Sequence, residues 1–256
     1  MSVVEFRKEG HVAHVRLNRP SGLNAITPEM DQLLSDAWQI INQDSDIWVA
    51  VLSAEGEKGY CIGADVSGGT DRDGRMAVGG GLTGIGGPLV TLTKPLIASV
   101  QGFCVGSGFE LAMCADIIIA ADTAQFGLPE TKVGIMGECG VVHRAIRQLP
   151  HRIAMAMILT GERIKADQAF QYGLVNEVVP YPDLAAAAGR WVDKILAASP
   201  LAVQAAKQAV LARRDMPLEV ALMSKFEAIE AYADSNDRKE GLAAAAERRK
   251  PVWTGT

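Results

Sequence analysis

The sequence predicts an α/β fold in which strands dominate the first half of the chain and helices the second. Three apolar runs are continuous rather than alternating, at residues 48–52, 96–100 and 117–121, which is typical of strands covered on both faces of a sheet. From about Val141 onward the pattern is mainly helical. At 256 residues, with 48% apolar and 21% charged residues, the chain has an ordinary globular composition and the length of one large domain or two small ones.

A hairpin and a helix precede these strands. Residues 3–6 and 12–17 flank a turn at Glu9-Gly10 and predict two strands, the second of which places three apolar side chains on one face: Ala13, Val15 and Leu17. Thr27 followed by Pro28 indicates the start of a helix. The apolar stripe predicted for this helix consists of Met30, Leu33, Leu34, Trp38 and Ile41.

A glycine-rich stretch at residues 67–88 predicts a lid or binding loop, because loops of about 20 residues are unusual inside compact domains. It holds a G-x-G-x-x-G match at Gly79, Gly81 and Gly84. No strand is predicted immediately before this match, and the residue 20 positions beyond it is Cys104 rather than an acid. We therefore do not interpret the match as a dinucleotide site.

The charge balance disfavours nucleic acid as a partner. The chain has 25 basic and 30 acidic residues and a net charge of −5, so it lacks the basic excess that binds a polyanion. Residues 238–256 nevertheless carry a net charge of +3. Such a charge run either grips a small anion or forms a solvated helix face.

The sequence predicts no secretory signal, membrane span or metal site. Glu5 interrupts the N-terminal apolar residues, and Asp116 interrupts the most apolar stretch, at 111–121, well short of the roughly 20 residues of a membrane span. Four cysteines lack C-x-x-C or zinc-ligand spacing: Cys61, Cys104, Cys114 and Cys139. They are expected to be buried small hydrophobic residues in a reducing compartment.

Two glycine-flanked turns follow predicted strands and can offer backbone N–H groups to a ligand. One spans residues 61–65, and the other, at 102–110, opens a helix. Ser107 and Glu110 in the second turn also fit a capping box, in which each side chain satisfies a backbone N–H of the other. Glu130 follows on a later turn, where a lone acid would usually be only a surface residue.

Taken together, these motifs resemble the enoyl-CoA hydratase/isomerase (crotonase) family along the whole chain. The matching stretches, in order, are L-N-R-P-S-G-L-N-A at 17–25, Y-C-I-G-A-D at 60–65, K-P-L-I-A-S-V-Q-G at 94–102, G-S-G-F-E-L-A at 106–112, C-A-D at 114–116, A-Q-F-G-L-P-E at 124–130, L-T-G-E-R-I-K-A at 159–166 and S-N-D-R-K-E-G at 235–241. The resemblance implies a spiral of ββα units carrying the acyl-CoA site at residues 1–195 and a helical C-terminal trimerisation region at 196–256. It also implies a cytoplasmic homotrimer, or a homohexamer of two trimers.

The resemblance further implies roles for individual residues. Ala64 and Ser107 match two backbone N–H donors that hold the thioester carbonyl in an oxyanion hole, and Glu110 and Glu130 match two catalytic glutamates. The substrate-binding positions implied are Gly22, Ala25, Gly63, Asp65, Val66, Gly106, Arg248 and Lys250. Coenzyme A enters as part of the substrate, so neither a separate cofactor nor a metal is expected.

The function that the resemblance implies is reversible syn addition of water to a trans-2-enoyl-CoA thioester, which gives a 3-hydroxyacyl-CoA, as in fatty acid metabolism. Glu110, ionised, would deprotonate the water, and Glu130, protonated, would deliver a proton to the α-carbon. The alternatives are an enoyl-CoA isomerase, a specialised acyl-CoA hydrolase or lyase, and a non-catalytic CoA-ester-binding protein. Two matching glutamates favour hydration, because members with only the second glutamate tend to be isomerases.

Two stretches depart from the family pattern. Ser107 replaces the middle residue of the usual triple glycine, and residues 137–142 replace the usual P-G-x-G-G-T run, so that Glu138 adds a third acid. Glu138 is interpreted either as an outward-facing surface residue or as a border of the acyl pocket that selects a polar or unusual acyl group.

Overall fold

The computed structural model describes residues 2–65, 90–137, 140–213 and 215–256. Val66, the glycine-rich stretch at 67–88, Glu138 and Cys139 lie outside the described residues.

The N-terminal hairpin and the first helix form as predicted. Strands β1 (Val4–Glu9) and β2 (Val12–Leu17) pair antiparallel, and the predicted apolar face of β2 is fully buried. Helix α1 (Pro28–Gln43) begins after Thr27, whose Oγ1 accepts a hydrogen bond from the Met30 N–H at 3.2 Å. This bond satisfies one of the free N–H groups of the first turn.

Three successive pairs of strands then each give one strand to a larger sheet and one to a smaller sheet. The pairs are β3 (Val49–Ala54) with β4 (Gly59–Cys61), β5 (Leu96–Val100) with β6 (Phe103–Val105), and β7 (Ile117–Ala121) with β8 (Gln125–Gly127). Among the described residues, the larger sheet ends in β10 (Glu177–Val179) and has the order β1-β2-β3-β5-β7-β10. The smaller sheet ends in β9 (Arg163–Lys165) and has the order β4-β6-β8-β9. Neighbouring strands of the three pairs run parallel in both sheets. The predicted spiral fold is confirmed.

The remaining elements are mostly helical, as expected. They are α2 (Ser107–Met113), α3 (Val141–Gln148), α4 (His151–Thr160), β9 (Arg163–Lys165), α5 (Ala166–Gln171), β10 (Glu177–Val179), α6 (Leu184–Leu196), α7 (Pro200–Arg213), α8 (Leu218–Met223), α9 (Glu227–Ala233) and α10 (Asn236–Glu247), with 3-10 turns at Pro20–Gly22, Pro129–Val133 and Tyr181–Asp183. The sequence did not predict the five three-residue strands β4, β6, β8, β9 and β10, because strands of this length leave too little periodicity to recognise. No helix in the described ranges combines the length and apolar character needed to cross a membrane.

The larger sheet is buried on both faces, which accounts for its continuous apolar strands. Ala50, Leu52 and Ala98 belong to the core on the α1 side, whereas Val49 and Ile97 pack with residues of α6 on the opposite side. The core on the α1 side continues into the smaller sheet, where Tyr60 of β4 and Phe126 of β8 are fully buried. The Phe126 ring also makes a tilted contact with the buried Phe109 ring, which lies in the segment that follows β6. The hydrophobic core therefore extends to the ends of β4, β6 and β8, where the next segments of the chain begin.

The C-terminal segment is fastened to the helical region by a buried acid. Asp237, at the start of α10, is 1% exposed, and its Oδ1 accepts hydrogen bonds from the backbone N–H groups of Thr254 and Gly255. Trp253 Nε1 donates to the Ala197 carbonyl at 2.9 Å. The division at 195/196 stays a prediction; α6 ends at Leu196.

Candidate active site

The four predicted catalytic residues follow three adjacent strands of the smaller sheet. Ala64 follows β4, Ser107 and Glu110 follow β6, and Glu130 follows β8. These strands are parallel, so their carboxyl ends meet at one edge, where open sheets commonly bind ligands. The Gly106 N–H donates to the Gly127 carbonyl at 3.0 Å and joins the second segment to the third.

The backbone around Ala64 lies directly against the start of α2. Gly63 has φ +97°, and a Cβ there would lie 3.2 Å from the Ser107 nitrogen, so the position favours glycine in both conformation and space. Ile26 N–H donates to the Gly63 carbonyl and Asp65 N–H to the Ile26 carbonyl. Within the described residues, no protein acceptor takes the N–H of Ala64 or of Ser107. The two N–H groups that the resemblance implies as donors are therefore held on neighbouring segments.

The capping box suggested by Ser107 and Glu110 is wrong. The N-cap of α2 is Gly106, with φ +57°, and no side chain of the described residues caps the helix. Ser107 is the first helical residue, so Glu110 stands one position beyond the place that a capping box requires. The Glu110 carboxyl instead faces α3.

Glu110 is a buried carboxyl group with one oxygen in contact with a cation and one without a hydrogen-bond partner among the described residues. Its residue is 1% exposed. Arg144 Nε lies 3.4 Å from Oε1, whereas Oε2 has no hydrogen-bond partner among the described residues. Burial raises the pKa of Glu110 to about 7, Arg144 opposes this rise, and the charge of Glu130 adds to it. A carboxyl with such a pKa can act as a base near neutral pH.

Glu130 lies beside the same turn, on the 3-10 segment that follows β8. A Cβ at Gly106 would lie 3.4 Å from Glu130 Oε1, and the Glu110 N–H donates to the Gly106 carbonyl at 3.0 Å. Gly106 therefore separates the two acids. Burial also raises the pKa of the half-buried Glu130. The geometry brings together the two carboxyls that the sequence placed 20 residues apart.

The loop that contains Gly22 and Ala25 is anchored to the Ala64 segment. Buried Asn24 accepts from the Arg19 N–H and donates to the Glu55 and Gly59 carbonyls. Arg19 Nη1 lies 2.8 Å from Asp65 Oδ2. Gly63, Asp65 and Gly106 thus lie at the predicted site as parts of its backbone framework, and Asp65 uses its carboxylate in an internal ion pair.

The basic C-terminal residues differ in whether they form ion pairs with described residues. Arg249 pairs with Glu240 at 2.8 Å and with Glu247. Arg248 and Lys250 are exposed, and across the described part of the chain neither has an ion-pair partner. No described contact joins them to the four predicted catalytic residues.

Sequence reasoning missed Arg144, which contacts Glu110, and Arg19, which holds Asp65. A signal for Arg144 was present in α3, because Val141, Arg144, Ala145 and Gln148 recur at the spacing of one helix face, and Val141 and Ala145 are buried. Arg19 lies inside a matched motif, but nothing local in the sequence indicates its partner.

The cysteines and the cavities do not identify the site. Cys61 and Cys104 are buried thiols, as predicted, and burial raises the pKa of Cys61 to about 12. Within the described ranges, no group of three or more histidine, cysteine or acidic residues is arranged to hold a metal ion. A cavity of about 700 Å³ at the far end of α2 is lined by Cys114, Arg144 and Lys207 but by none of the four predicted catalytic residues.

Comparisons with known proteins identify the family of this chain. The family model for enoyl-CoA hydratase/isomerase matches residues 7–256. The chain is 38% identical to (E)-benzylidenesuccinyl-CoA hydratase from Thauera aromatica, with 98% of this chain and 99% of the relative covered. A crystal structure from Novosphingobium aromaticivorans, provisionally assigned as a short-chain enoyl-CoA hydratase, is 72% identical with a TM-score of 0.92, covering 100% of this chain and 99% of that one. Enoyl-CoA hydratase from Mycobacterium tuberculosis is 34% identical with a TM-score of 0.91 and full coverage of both chains. The chain therefore belongs to the enoyl-CoA hydratase/isomerase family and is a hydro-lyase of that family.

Proposed function

We propose that this protein adds water across the double bond of a trans-2-enoyl-CoA thioester, with Glu110 as the base and Glu130 as the acid. The observation that carries the proposal is the buried Glu110 carboxyl, whose Oε2 has no partner among the described residues, beside a second carboxyl across Gly106. An unpartnered buried carboxylate oxygen is costly unless a ligand satisfies it.

In the proposed reaction, Glu110 Oε2 takes a proton from water as the water oxygen bonds to the β-carbon. The electron pair of the double bond moves toward the thioester oxygen, and Glu130 then gives its proton to the α-carbon. Adjacent carboxyls can hold opposite protonation states because each disfavours ionisation of the other. Proton exchange with solvent afterwards restores the starting states, so no separate cofactor is required.

The N–H groups of Ala64 and Ser107 are proposed to stabilise the negative charge on the thioester oxygen. Their support is the close approach of Gly63 to the Ser107 nitrogen at the start of α2. Donors fixed in advance stabilise charge that develops in the transition state, and losing one such donor typically costs about 2.7–4 kcal/mol.

The proposed reaction is tested by following the ultraviolet absorbance of a panel of CoA esters mixed with the protein. The panel should include crotonyl-CoA, longer-chain and aryl-substituted 2-enoyl-CoA esters, and a 3-enoyl-CoA ester. The aryl-substituted esters are included because the Thauera relative is named for an aryl-substituted CoA ester, (E)-benzylidenesuccinyl-CoA. Loss of the ultraviolet absorbance of the conjugated enoyl thioester supports hydration. A gain of absorbance from the 3-enoyl ester without hydration would identify an isomerase, and no change with any ester would identify a non-catalytic binder.

The proposal extends to a cytoplasmic homotrimer or a hexamer of two trimers. Helix α8 supports assembly, because its Leu218, Leu222 and Met223 are 68%, 77% and 85% exposed, and contiguous exposed apolar residues commonly mark protein interfaces. Light scattering of the purified protein tests the assembly, and a monomer at micromolar concentration would contradict it.

A further inference from the structure

Arg144 is a partly buried cation whose position is fixed by the packing of α3 on α2. Its side chain is 18% exposed and that of Glu110 is 2% exposed. Val141 and Ala145, on the same helix face, are 2% and 0% exposed. One turn later, Gln148 Nε2 donates to the Met113 carbonyl at the end of α2, at 2.8 Å. The guanidinium is thus held near Glu110 by the fold on both sides of it.

Among the described charged groups around Glu110, Arg144 is the one that favours the ionised form of its carboxyl. Glu130, from the segment after β8, raises the pKa of Glu110. Cys114 directly follows the end of α2, and burial raises its pKa to about 12, so it is neutral at physiological pH. Lys207 on α7 pairs with Asp116 at 2.6 Å. Among the described residues, Arg144 is therefore the cation in contact with Glu110.

The contact is also asymmetric. Arg144 Nε faces Oε1 at 3.4 Å, whereas Oε2 has no hydrogen-bond partner in the described part of the chain. A cation on one oxygen fixes the plane of the carboxylate and leaves the other oxygen to accept a proton.

We propose that Arg144 is a positioning residue for hydration: it keeps Glu110 ionised and oriented so that Oε2 faces the water that adds to the double bond. This inference rests on the proposed role of Glu110 as the base. A neutral residue at position 144 removes the attraction that offsets burial, so the pKa of Glu110 rises further. Because the base works in its ionised form, activity is then lost mainly at low pH.

The test measures kcat/KM against pH, from 5.5 to 9.5, for the 2-enoyl-CoA ester that the wild type hydrates fastest. Arg144→Gln should move the acid limb of the profile to higher pH by roughly 1 to 3 pH units. Arg144→Lys keeps the charge and should leave that limb close to its wild-type position. Arg147→Gln is the matched control, because Arg147 lies one turn along α3 and is more exposed, with Asp215 3.9 Å away.

Two results overturn the inference: an acid limb that does not move in Arg144→Gln, or an equal loss of activity at every pH. If Arg144→Gln does not fold, as judged by circular dichroism, Arg144→Met is measured in its place with the same criteria. Glu110→Gln separates this inference from the proposed function. Normal hydration by Glu110→Gln would show that Glu110 is not the base, and the proposed function would then fail. If Glu110→Gln is inactive but the acid limb of the kcat/KM profile does not move in Arg144→Gln, only the proposed role of Arg144 fails.

Discussion

Arg19 Nη1 lies 2.8 Å from Asp65 Oδ2 and so ties the loop of Gly22 and Ala25 to the segment that carries Ala64. The Asp65 side chain is 16% exposed and that of Arg19 is 32% exposed. A pair at this depth stabilises the fold by about 1 kcal/mol or less. Its larger effect is expected on the placement of the Ala64 N–H.

We therefore expect Arg19→Met to lower kcat/KM by roughly 10- to 100-fold, because small displacements of a positioned group are costly in catalysis. The free energy of unfolding should fall by no more than about 1 kcal/mol. Arg16→Met is the control, since Arg16 pairs with Glu5 and Glu55 on the exposed face of the hairpin. Equal losses of kcat/KM in the two variants would show that the Arg19 contact has no bearing on the site.

Gly108 is expected to be intolerant of a side chain. A Cβ there would lie 2.3 Å from the Cys61 carbonyl oxygen, so Gly108→Ala must push α2 away from β4. The expected loss is about 1–3 kcal/mol of unfolding free energy, measured by urea denaturation. Gly189→Ala, on α6 where a Cβ meets nothing within 4 Å, should be neutral or stabilising. A Gly108→Ala protein as stable as the wild type would contradict the close approach of these two segments.

The pKa of Glu110 predicts a pH-dependent cost to stability. Burial raises this pKa from 4.5 to about 7, so ionisation of Glu110 increasingly destabilises the folded state as the pH rises through this interval. Glu110→Gln removes the titration. The unfolding free energy of the variant relative to wild type should increase by roughly 2 kcal/mol between pH 5 and pH 8. A difference that is constant with pH would mean that Glu110 titrates normally.

Arg248 and Lys250 are exposed cations at implied substrate-binding positions, and we expect them to contact the phosphates of the CoA ester. Replacing both with alanine should raise KM for CoA esters, more at 50 mM than at 500 mM salt, and leave kcat nearly unchanged, because phosphate binding is the same in ground and transition states. Arg7→Ala combined with Arg152→Ala removes the same charge from exposed positions elsewhere and serves as the control. Equal KM values for the double variant and wild type at both salt concentrations would leave these two residues as solvated surface cations beyond the end of α10.

Strands β1, β2, β3, β5 and β7, the first helix and the backbone turns of the site could be predicted from sequence, because each leaves a local pattern. The burial of both faces of β3 and β5 follows from their continuous apolar runs, and the start of α1 from Thr27 and Pro28. The capping box failed because the same four residues fit a helix that has Ser107 as its N-cap and a helix that has Ser107 as its first residue. Only the φ of +57° at Gly106 decides between these possibilities.

The contacts that tune the site could not be predicted, because they join residues far apart in the chain. Arg144 is 34 positions from Glu110, and Arg19 is 46 from Asp65. Helix periodicity indicates which face of α3 carries Arg144, but only the packing of α3 on α2 shows what that face meets. The role of Val66 and the placement of Glu138 stay predictions, since both residues lie outside the described part of the chain.

The most direct test of the central claim is the hydration rate of Glu110→Gln and Glu130→Gln on the best 2-enoyl-CoA ester. Glutamine keeps the shape of each side chain and cannot transfer the proton, so turnover should fall by roughly 10²–10⁴ in each variant. Thioester affinity and the folded state should be nearly intact, and Glu9→Gln, on the exposed hairpin, should match the wild type. Near-normal hydration by Glu110→Gln, in a folded protein that binds the ester, would contradict the assignment of water activation to Glu110.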